Sequence, residues 1–435
     1  MAAGSAPVSH SIPNRKTISL RSWGAFFSVC SLMLGCRAGV AEKDFAVRAK
    51  ELHRRILTLD SHCDTPLSLL RKGWDIGVRH QRLAGQRESG KVDLPRMVEG
   101  GLDGEFFAVF VGQGELSPEG YASAKSQADS ILAAIHKMCD TYSQQIGLAL
   151  TPEDATRLKK EGKRIAFIGM ENGYPVDKNL SLLKEFYGGG VRYLTLCHSG
   201  DNDICDSSSD REQNSDHGLS EYGRQVVREC NRLGLMIDLS HASDKSFNEV
   251  LAATQAPVIA SHSCCRALDD SPRNLSDEML KALARNGGVM QMCFLSSYIK
   301  KPKPNLEREK AFADFRAKYG RFRDVKDEAL REKIWQEYED IHDRFPEEKA
   351  TLKDLVNHID HVVKVVGIDF VGIGTDFDGG GGVIGCDDVS EMYHVTEELL
   401  RRGYTETQIE KIWSGNLIRV FHKVIEVSRR AADNM

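Results

Sequence analysis

Eight short β-rich runs, separated by stretches with helical periodicity, constrain the fold of this 435-residue chain more than any other feature. The runs are largely apolar rather than alternating, which is typical of strands that are covered on both faces. Parallel strands need crossover connections, and these are usually helices. The pattern therefore predicts an α/β fold, and eight such units predict a (β/α)8 TIM-type barrel. The predicted strands are 55–60, 105–111, 164–170, 191–196, 235–240, 257–261, 288–294 and 370–374.

Helical patterns lie between most of these strands. We place Asp244 and Ser276 at helix N-caps, where short polar side chains are favoured. A doubly wound open sheet is the alternative fold. Such a sheet normally has a Gly-rich phosphate loop after its first strand, and the segment 61–64, Ser-His-Cys-Asp, is not one. The predicted helices are 121–142, 152–161, 220–233, 244–253, 276–285 and 352–366.

A densely charged segment at about 302–348 interrupts this pattern after strand seven. It is interpreted as a helical insertion. Two readings are open: a solvated pair of charged helices, or a lid over the active site, because inserted βα loops lie on the catalytic face of a barrel.

Composition and charge limit the class of protein. The chain is 41% hydrophobic and 28% charged, as expected of a folded soluble chain. Its 58 Lys and Arg against 63 Asp and Glu give a net charge of −5. Phosphate binding needs a basic face, so we expect no nucleic-acid partner. The predicted organisation is an export signal at 1–42 followed by a single domain at 43–435.

The N-terminus has the order of an export signal: basic residues, an apolar run at 23–36, and small residues at 38–41. Two outcomes are open. The segment that ends at Cys36 resembles a lipoprotein box, which would attach the protein to a membrane through an N-terminal lipid, and the other outcome is cleavage near Ala41. Both predict an exported protein, either periplasmic or a membrane-anchored lipoprotein. The polar segment 424–435 disfavours a GPI anchor.

The eleven cysteines do not form a zinc-binding pattern, because the sequence contains no CxxC. Cys63, Cys197, Cys264 and Cys293 lie in or beside apolar strand-like runs. They are predicted to be buried thiols rather than a disulfide framework.

Ionisable side chains stand at six of the eight predicted strand ends. In a barrel, the carboxyl ends of all strands open into one shared mouth. Residues far apart in the sequence are therefore expected to converge there. They are His62 and Asp64, Glu171, His198, His241, His262, and Asp376 with Asp378.

The His-x-Asp pair at the first strand end suggests a metal. Alternate strand residues point the same way, so His62 and Asp64 can both face the mouth, and imidazole with carboxylate suits a zinc-like ion. Each histidine taken singly could be a buried, hydrogen-bonded residue. Burying four histidines and three carboxylates together without a metal would cost too much desolvation energy. His217, His358 and His361 are predicted to be surface residues.

Seven motifs, in order from about residue 50 to 425, resemble those of the membrane (renal) dipeptidase family, peptidase family M19, in an exported bacterial form. The match is very specific. The motifs are Ser-His-Cys-Asp at 61–64, Met-Glu-Asn-Gly at 170–173, Leu-Thr-Leu-Cys-His-Ser at 194–199, Asp-Leu-Ser-His-Ala-Ser at 238–243, Ser-His-Ser at 261–263, Arg-Asn at 273–274 and Gly-Thr-Asp-Phe-Asp-Gly at 374–379.

The resemblance implies a barrel of the metal-dependent amidohydrolase kind with two Zn²⁺ per chain. It implies that His62 and Asp64 bind one zinc, that His241 and His262 bind the other, and that Glu171 bridges them. His198 matches a substrate-binding histidine that also assists catalysis. Arg273 matches the arginine that receives the substrate carboxylate, and Asp376 matches the acid/base aspartate, which also contacts substrate.

The implied reaction is hydrolysis of the peptide bond of dipeptides, L-L and also L-D, by a metal-bridging hydroxide. A homodimer is also implied. Two alternatives stay open: another binuclear-metal amidohydrolase, such as a cyclic amide hydrolase or a deacetylase, and a catalytically dead surface-binding protein. One departure concerns Gly200, which replaces a family cysteine, so the family disulfide to a helix cysteine equivalent to Cys139 cannot form in that way.

Overall fold

The computed structural model describes residues 44–81, 90–210, 216–320 and 327–433. Residues 48–435 form one compact unit, and the fold below is that of this unit. The predicted export signal at 1–42 lies outside the described residues. In the described ranges, no helix combines the length and the apolar character needed to cross a membrane.

Eight parallel strands form the wall of a barrel, as the sequence predicts. They are hydrogen-bonded in the order β1-β2-β4-β5-β6-β7-β8-β9. The barrel closes where Cys63 of the first strand forms a parallel bridge with Phe377, four residues after the last strand. The strands are β1 (Leu59–Cys63), β2 (Gly104–Phe110), β3 (Ile146–Leu148), β4 (Arg164–Glu171), β5 (Val191–Thr195), β6 (Met236–Asp238), β7 (Ile259–Ser263), β8 (Val289–Met292) and β9 (Val371–Ile373).

Two strand predictions are wrong in detail. β1 begins four residues later than predicted, because residues 51–55 are helical and the strand instead continues through the polar residue His62. The short strand β3 is not predicted at all. It pairs with β4 alone and lies off the path of the barrel.

Helices follow the barrel strands on the outside. Ser276 caps its helix as predicted, whereas the N-cap predicted at Asp244 is Ser243, whose side chain accepts the backbone N–H of Ser246. Residues 44–55 are helical, and the α-helices after them are Pro66–Leu69, Leu94–Gly100, Pro118–Thr141, Pro152–Lys160, Ser181–Gly188, Glu221–Leu233, Asp244–Ala253, Asp277–Asn286, Ser296–Ile299, Leu306–Tyr319, Glu328–Arg344, Leu352–Val366, Tyr393–Arg401, Glu406–Glu410 and Asn416–Asp433.

The core at the base of the barrel is apolar and aromatic. The rings of Phe106 and Phe167 stack at 4.6 Å, and Phe106 also stacks on Tyr193 at 5.5 Å. The C-terminal helix adds Phe421, which contacts Phe167 edge-on. This packing fixes the strands below the rim, so that the strand ends are held in place.

The predicted insertion contains the two helices Leu306–Tyr319 and Glu328–Arg344, which follow β8, the seventh strand of the barrel path. Their aromatic faces meet: the ring of Phe312 is 5.5 Å from that of Tyr338. The role of this insertion as a lid stays a prediction.

Candidate active site

The strand ends bring the predicted site residues to one rim of the barrel. His62 lies in β1 and His262 in β7, and Glu171 is the last residue of β4. His198 and His241 each follow their strand by three residues. Asp64 comes directly after β1, and Asp376 follows β9 by three residues. The convergence follows from the parallel order of the strands, since all of them end at the same face.

Glu171 lies at the centre of the site and is 2% exposed. Its Oε1 is 3.0 Å from Nε2 of His241 and 3.6 Å from Nε2 of His262. Its Oε2 is 3.4 Å from Nε2 of His62. The two oxygens of one carboxylate thus face two different sets of histidines.

The histidine rings form a continuous layer around this carboxylate. The ring centroids of His62 and His262 are 4.0 Å apart, and those of His198 and His241 are 4.2 Å apart. Nε2 of His241 lies 2.9 Å from Nε2 of His262. Two ring nitrogens at this distance can face each other when one carries a hydrogen and the other accepts it.

The three carboxyl groups of the site differ in the direction of their pKa shifts. Burial and the negative charge of Glu171 raise the pKa of Asp64 well above its usual range, against the opposing charge of His62. Burial raises the pKa of Asp376 to about 7, with His62 opposing and Glu171 adding to the shift. Burial would also raise the pKa of Glu171, but the positive charge of His62 holds it well below its usual range.

The histidines also differ from one another. Burial alone would lower the pKa of His62, yet the negative charge of the nearby Glu171 raises this pKa to about 10. Burial lowers the pKa of both His241 and His262 well below the usual range. These two rings are therefore neutral, and a neutral imidazole offers a lone pair to a metal.

The donor set fits a metal. Three groups of side chains have ligand atoms within 4.8 Å of one another. In one of these groups, each residue also has a buried nitrogen or oxygen atom without a hydrogen-bond partner. These atoms are Nε2 of His62, Oδ1 of Asp64 and Oε2 of Glu171. Buried polar atoms normally find a partner, so a cation is the expected one. The three groups are His62, Asp64 and Glu171; Glu171, His198 and His241; and His62, His262 and Asp376.

Arg273 and His198 flank this cluster. Arg273 is 5% exposed, donates from Nη2 to the backbone oxygen of His262 at 3.3 Å, and has no hydrogen-bond partner at Nε. The side chain of His198 is 23% exposed, against 7% or less for His62, His241 and His262. Of the four histidines, His198 is thus the one most open to solvent.

The structure brings together all eight predicted site residues, and their individual roles stay predictions. It corrects one histidine outside the site. His358, predicted to be exposed, is 1% exposed; its Nδ1 accepts the backbone N–H of Cys265, and its Nε2 pairs with the backbone oxygen of Ile299. The cysteines agree with the prediction of buried thiols, since all nine in the described residues, Cys139 included, are buried and free.

Two residues of the site were missed. The hydroxyl of Tyr193 in β5 is 2.7 Å from Nδ1 of His62. Gly379 packs so close to the carboxylates that a Cβ there would lie 2.2 Å from Oδ1 of Asp376 and 2.3 Å from Oδ2 of Asp64. A tyrosine inside an apolar run indicates a hydroxyl that needs a buried partner, but it does not identify His62 as that partner. Gly379 ends the motif at 374–379, but that motif does not indicate its contact with the two carboxylates.

The fold and the site define a hydrolase built on a (β/α)8 barrel, with a rim that carries a metal-binding set of side chains. The chain belongs to the membrane dipeptidase family, peptidase family M19, whose model matches residues 46–434. Membership makes the protein a dipeptidase that acts on dipeptides and implies a metal cofactor.

Individual relatives agree with this assignment. The chain is 30% identical to dipeptidase ataJ of Aspergillus terreus over 89% of this chain and 90% of the relative. Among solved structures, it is similar to the probable dipeptidase PvdM from Pseudomonas aeruginosa, with 34% identity, a TM-score of 0.76, and coverage of 88% of this chain and 99% of that one. It is also similar to dipeptidase AC, described as a metallopeptidase, with 25% identity, a TM-score of 0.67, and coverage of 85% and 98%.

Proposed function

We propose that this protein is a dipeptidase with two Zn²⁺ per chain, and that it hydrolyses L-L and L-D dipeptides. The observation that carries the proposal is the position of Glu171, whose two oxygens face separate sets of histidines. A carboxylate in that position can bridge two cations. His62 and Asp64 would hold one ion, and His241 and His262 the other.

Such a pair of ions, when bound, lowers the pKa of a shared water and polarises the peptide carbonyl. The mixture of imidazole and carboxylate donors favours zinc over the all-oxygen sites typical of calcium or magnesium. Tyr193 would orient the ring of His62 through the hydrogen bond to Nδ1, which leaves Nε2 for the metal.

Asp376 is proposed as the general base and then the general acid. Its pKa of about 7, which burial and Glu171 raise against the charge of His62, suits a group that both takes and gives a proton near neutral pH. A carboxylate oxygen of Asp376 accepts the proton of the attacking water. The same proton then passes to the leaving amine as the peptide bond breaks.

Arg273 is proposed to bind the terminal carboxylate of the substrate. Its buried guanidinium keeps an unpaired donor at Nε, and a guanidinium can grip a carboxylate with two parallel hydrogen bonds. His198 is proposed to bind the substrate carbonyl, because a neutral ring has an N–H to donate. Burial lowers the pKa of His198 against the charge of Glu171, and Arg273 adds to the lowering.

The test is a zinc count per chain together with hydrolysis of a panel of L-L and L-D dipeptides, with and without a chelator. We expect two zinc ions, activity on both stereochemical classes, and loss of activity with chelator that zinc restores. Asp376→Asn should abolish turnover and keep both ions. Full activity after exhaustive metal removal would contradict the metal mechanism, and loss of zinc in Asp376→Asn would make Asp376 a ligand.

We also propose, from the sequence of residues 1–42, that the protein is exported and is either periplasmic or held at a membrane by a lipid on Cys36. The family resemblance supports a homodimer. Fractionation of cells that express the full chain or Cys36→Ser separates the two export outcomes, because the variant cannot be lipidated. Sedimentation of the purified protein measures the oligomeric state.

A further inference from the structure

A buried hydrogen-bonded chain lies directly behind His262. It consists of Asp238, the last residue of β6, and Ser261 of β7, both 0% exposed. The pairing of β7 with β8 shifts register between Ala260 and Ser263. Such an irregularity re-aims neighbouring side chains, and here the hydroxyl of Ser261 lies 2.9 Å from Nδ1 of the adjacent His262.

Asp238 accepts hydrogen bonds from every polar group that reaches it in the described structure. Its Oδ1 accepts the backbone N–H groups of Ser261 at 2.7 Å and of Ser240 at 3.0 Å. Its Oδ2 accepts the hydroxyls of Ser261 at 2.6 Å and of Thr195. Asp238 therefore acts as a carboxylate that only accepts.

Counting donors assigns the tautomer of His262. The hydroxyl of Ser261 has one proton, and its nearest acceptor is Oδ2 of Asp238 at 2.6 Å, closer than the hydroxyl of Ser240 at 3.3 Å. The oxygen of Ser261 can therefore only accept from His262, so Nδ1 of that ring carries the hydrogen. Nε2 then presents its lone pair, and this atom lies 2.9 Å from Nε2 of His241 and 3.6 Å from Oε1 of Glu171.

We propose that Asp238, acting through Ser261, is a positioning residue for His262: the chain fixes the ring, keeps the hydrogen on Nδ1 and aims the lone pair of Nε2 at the metal. The inference rests on the proposed role of His262 as a ligand. Histidines that bind metal commonly donate their second N–H to a carboxylate or another acceptor, and removing that partner weakens metal binding by about 10- to 100-fold. Here the carboxylate would act through one intervening hydroxyl.

The experiment measures the affinity of the full chain for Zn²⁺ alone, by competition with a chelator, and the visible absorption of the Co²⁺-loaded protein, which reports ligand geometry. The variants are Asp238→Asn, Ser261→Ala and the double variant. Ser61→Ala is the matched control, because its hydroxyl lies in the same buried layer but donates to the backbone oxygens of Ser261 and Ile373 rather than to a histidine.

We expect Asp238→Asn and Ser261→Ala each to weaken zinc binding by about 10- to 100-fold and to change the Co²⁺ spectrum. The double variant should lose no more zinc affinity than the more affected of the two single variants, because both changes break the same hydrogen-bonded chain. Ser61→Ala should bind like the wild type. If Asp238→Asn fails to fold, Ser261→Ala decides alone.

Two results would overturn the proposed role of the Asp238–Ser261 hydrogen-bonded chain. One is wild-type zinc affinity in Ser261→Ala, and the other is a loss of affinity in the double variant equal to the product of the two single losses. A wild-type protein that binds neither ion would instead overturn the proposed function, and the chain with it. If the wild type and Ser261→Ala both bind zinc with full affinity, the positioning role of Asp238 and Ser261 is rejected and the proposed function is not.

Discussion

Gly379→Ala tests whether the two carboxylates beside this glycine must keep their positions. The added Cβ would lie 2.2 Å from Oδ1 of Asp376 and 2.3 Å from Oδ2 of Asp64, whereas ordinary contact begins at 3.4 Å. Taking 2.2 Å from 3.4 Å leaves about 1.2 Å by which a carboxylate or the turn must move. The backbone of Gly379 lies outside the left-handed region, so alanine adds a steric conflict and no backbone strain.

A displacement of about 1 Å in a catalytic group costs on the order of 100-fold in rate. We therefore expect kcat/KM for a dipeptide to fall by about 100-fold in Gly379→Ala while the circular dichroism spectrum stays unchanged. The metal content locates the damage: loss of metal points to Asp64, and retained metal with low kcat points to Asp376.

The matched control is Gly112→Ala, which lies on the loop after β2 and whose Cβ would meet no heavy atom within 4 Å. It should keep wild-type activity. The reasoning is refuted if Gly379→Ala keeps kcat/KM within about threefold of the wild type, because the two carboxylates would then tolerate a shift that the geometry forbids.

Three further predictions follow from single contacts. Burial lowers the pKa of His53 from 6.5 to about 4, against a hydrogen bond to Gly100. The buried neutral ring therefore contributes its full stability above pH 6.5 and progressively less as the pH falls towards 4. Between these two pH values, the free energy of unfolding from denaturant titration should fall by roughly 3 kcal/mol more in the wild type than in His53→Gln. Gly169→Ala would place a Cβ 2.0 Å from Cζ of Tyr193, so urea unfolding should show about 1–3 kcal/mol of destabilisation, and a wild-type midpoint would contradict this overpacking. Arg273→Ala should raise KM for dipeptides but leave an amidated analogue unaffected, and equal loss on both substrates would count against the carboxylate contact.

The convergence of the site could be predicted because it depends on strand order alone. His62, Glu171 and His262 each stand at the end of an apolar run, and parallel strands carry such residues to one rim. The prediction that these residues meet at one rim did not require the distances between them. The sequence could not, however, predict that the two oxygens of Glu171 face different histidines, because that depends on how the strands tilt around the barrel.

The error at His358 could have been avoided. The helix Leu352–Val366 buries Leu355, Ile359 and Val362. His358 lies three residues after the first of these and four before the last, so it belongs to the same face by helical periodicity. A polar residue on a buried face needs hydrogen-bond partners, and this histidine bridges two backbone groups.

Tyr193 and β3 could not be predicted for a different reason. The bond from Tyr193 to His62 joins residues 131 positions apart, and no local pattern encodes that pairing. β3 has three residues, one of them Gly147, and it exists because β4 offers an edge partner. Both features come from tertiary contacts, which outweigh local preference in short segments.

Backbone strain gives an independent sign of where the chemistry lies. Among the described residues, the non-glycine positions with positive φ are Asn172, Asp177, His241, Asp376 and Asp378. All but Asp177 directly follow a strand end or lie within a few residues of one at the catalytic rim. Such conformations cost on the order of 1–3 kcal/mol each and persist only where the surrounding structure enforces them. Backbone hydrogen bonds between strand ends supply part of that enforcement: Asp376 donates its backbone N–H to the carbonyl oxygen of His62 at 3.0 Å. The barrel thus holds these side chains in a geometry that their own backbones disfavour, which is the arrangement that a preorganised catalytic site requires.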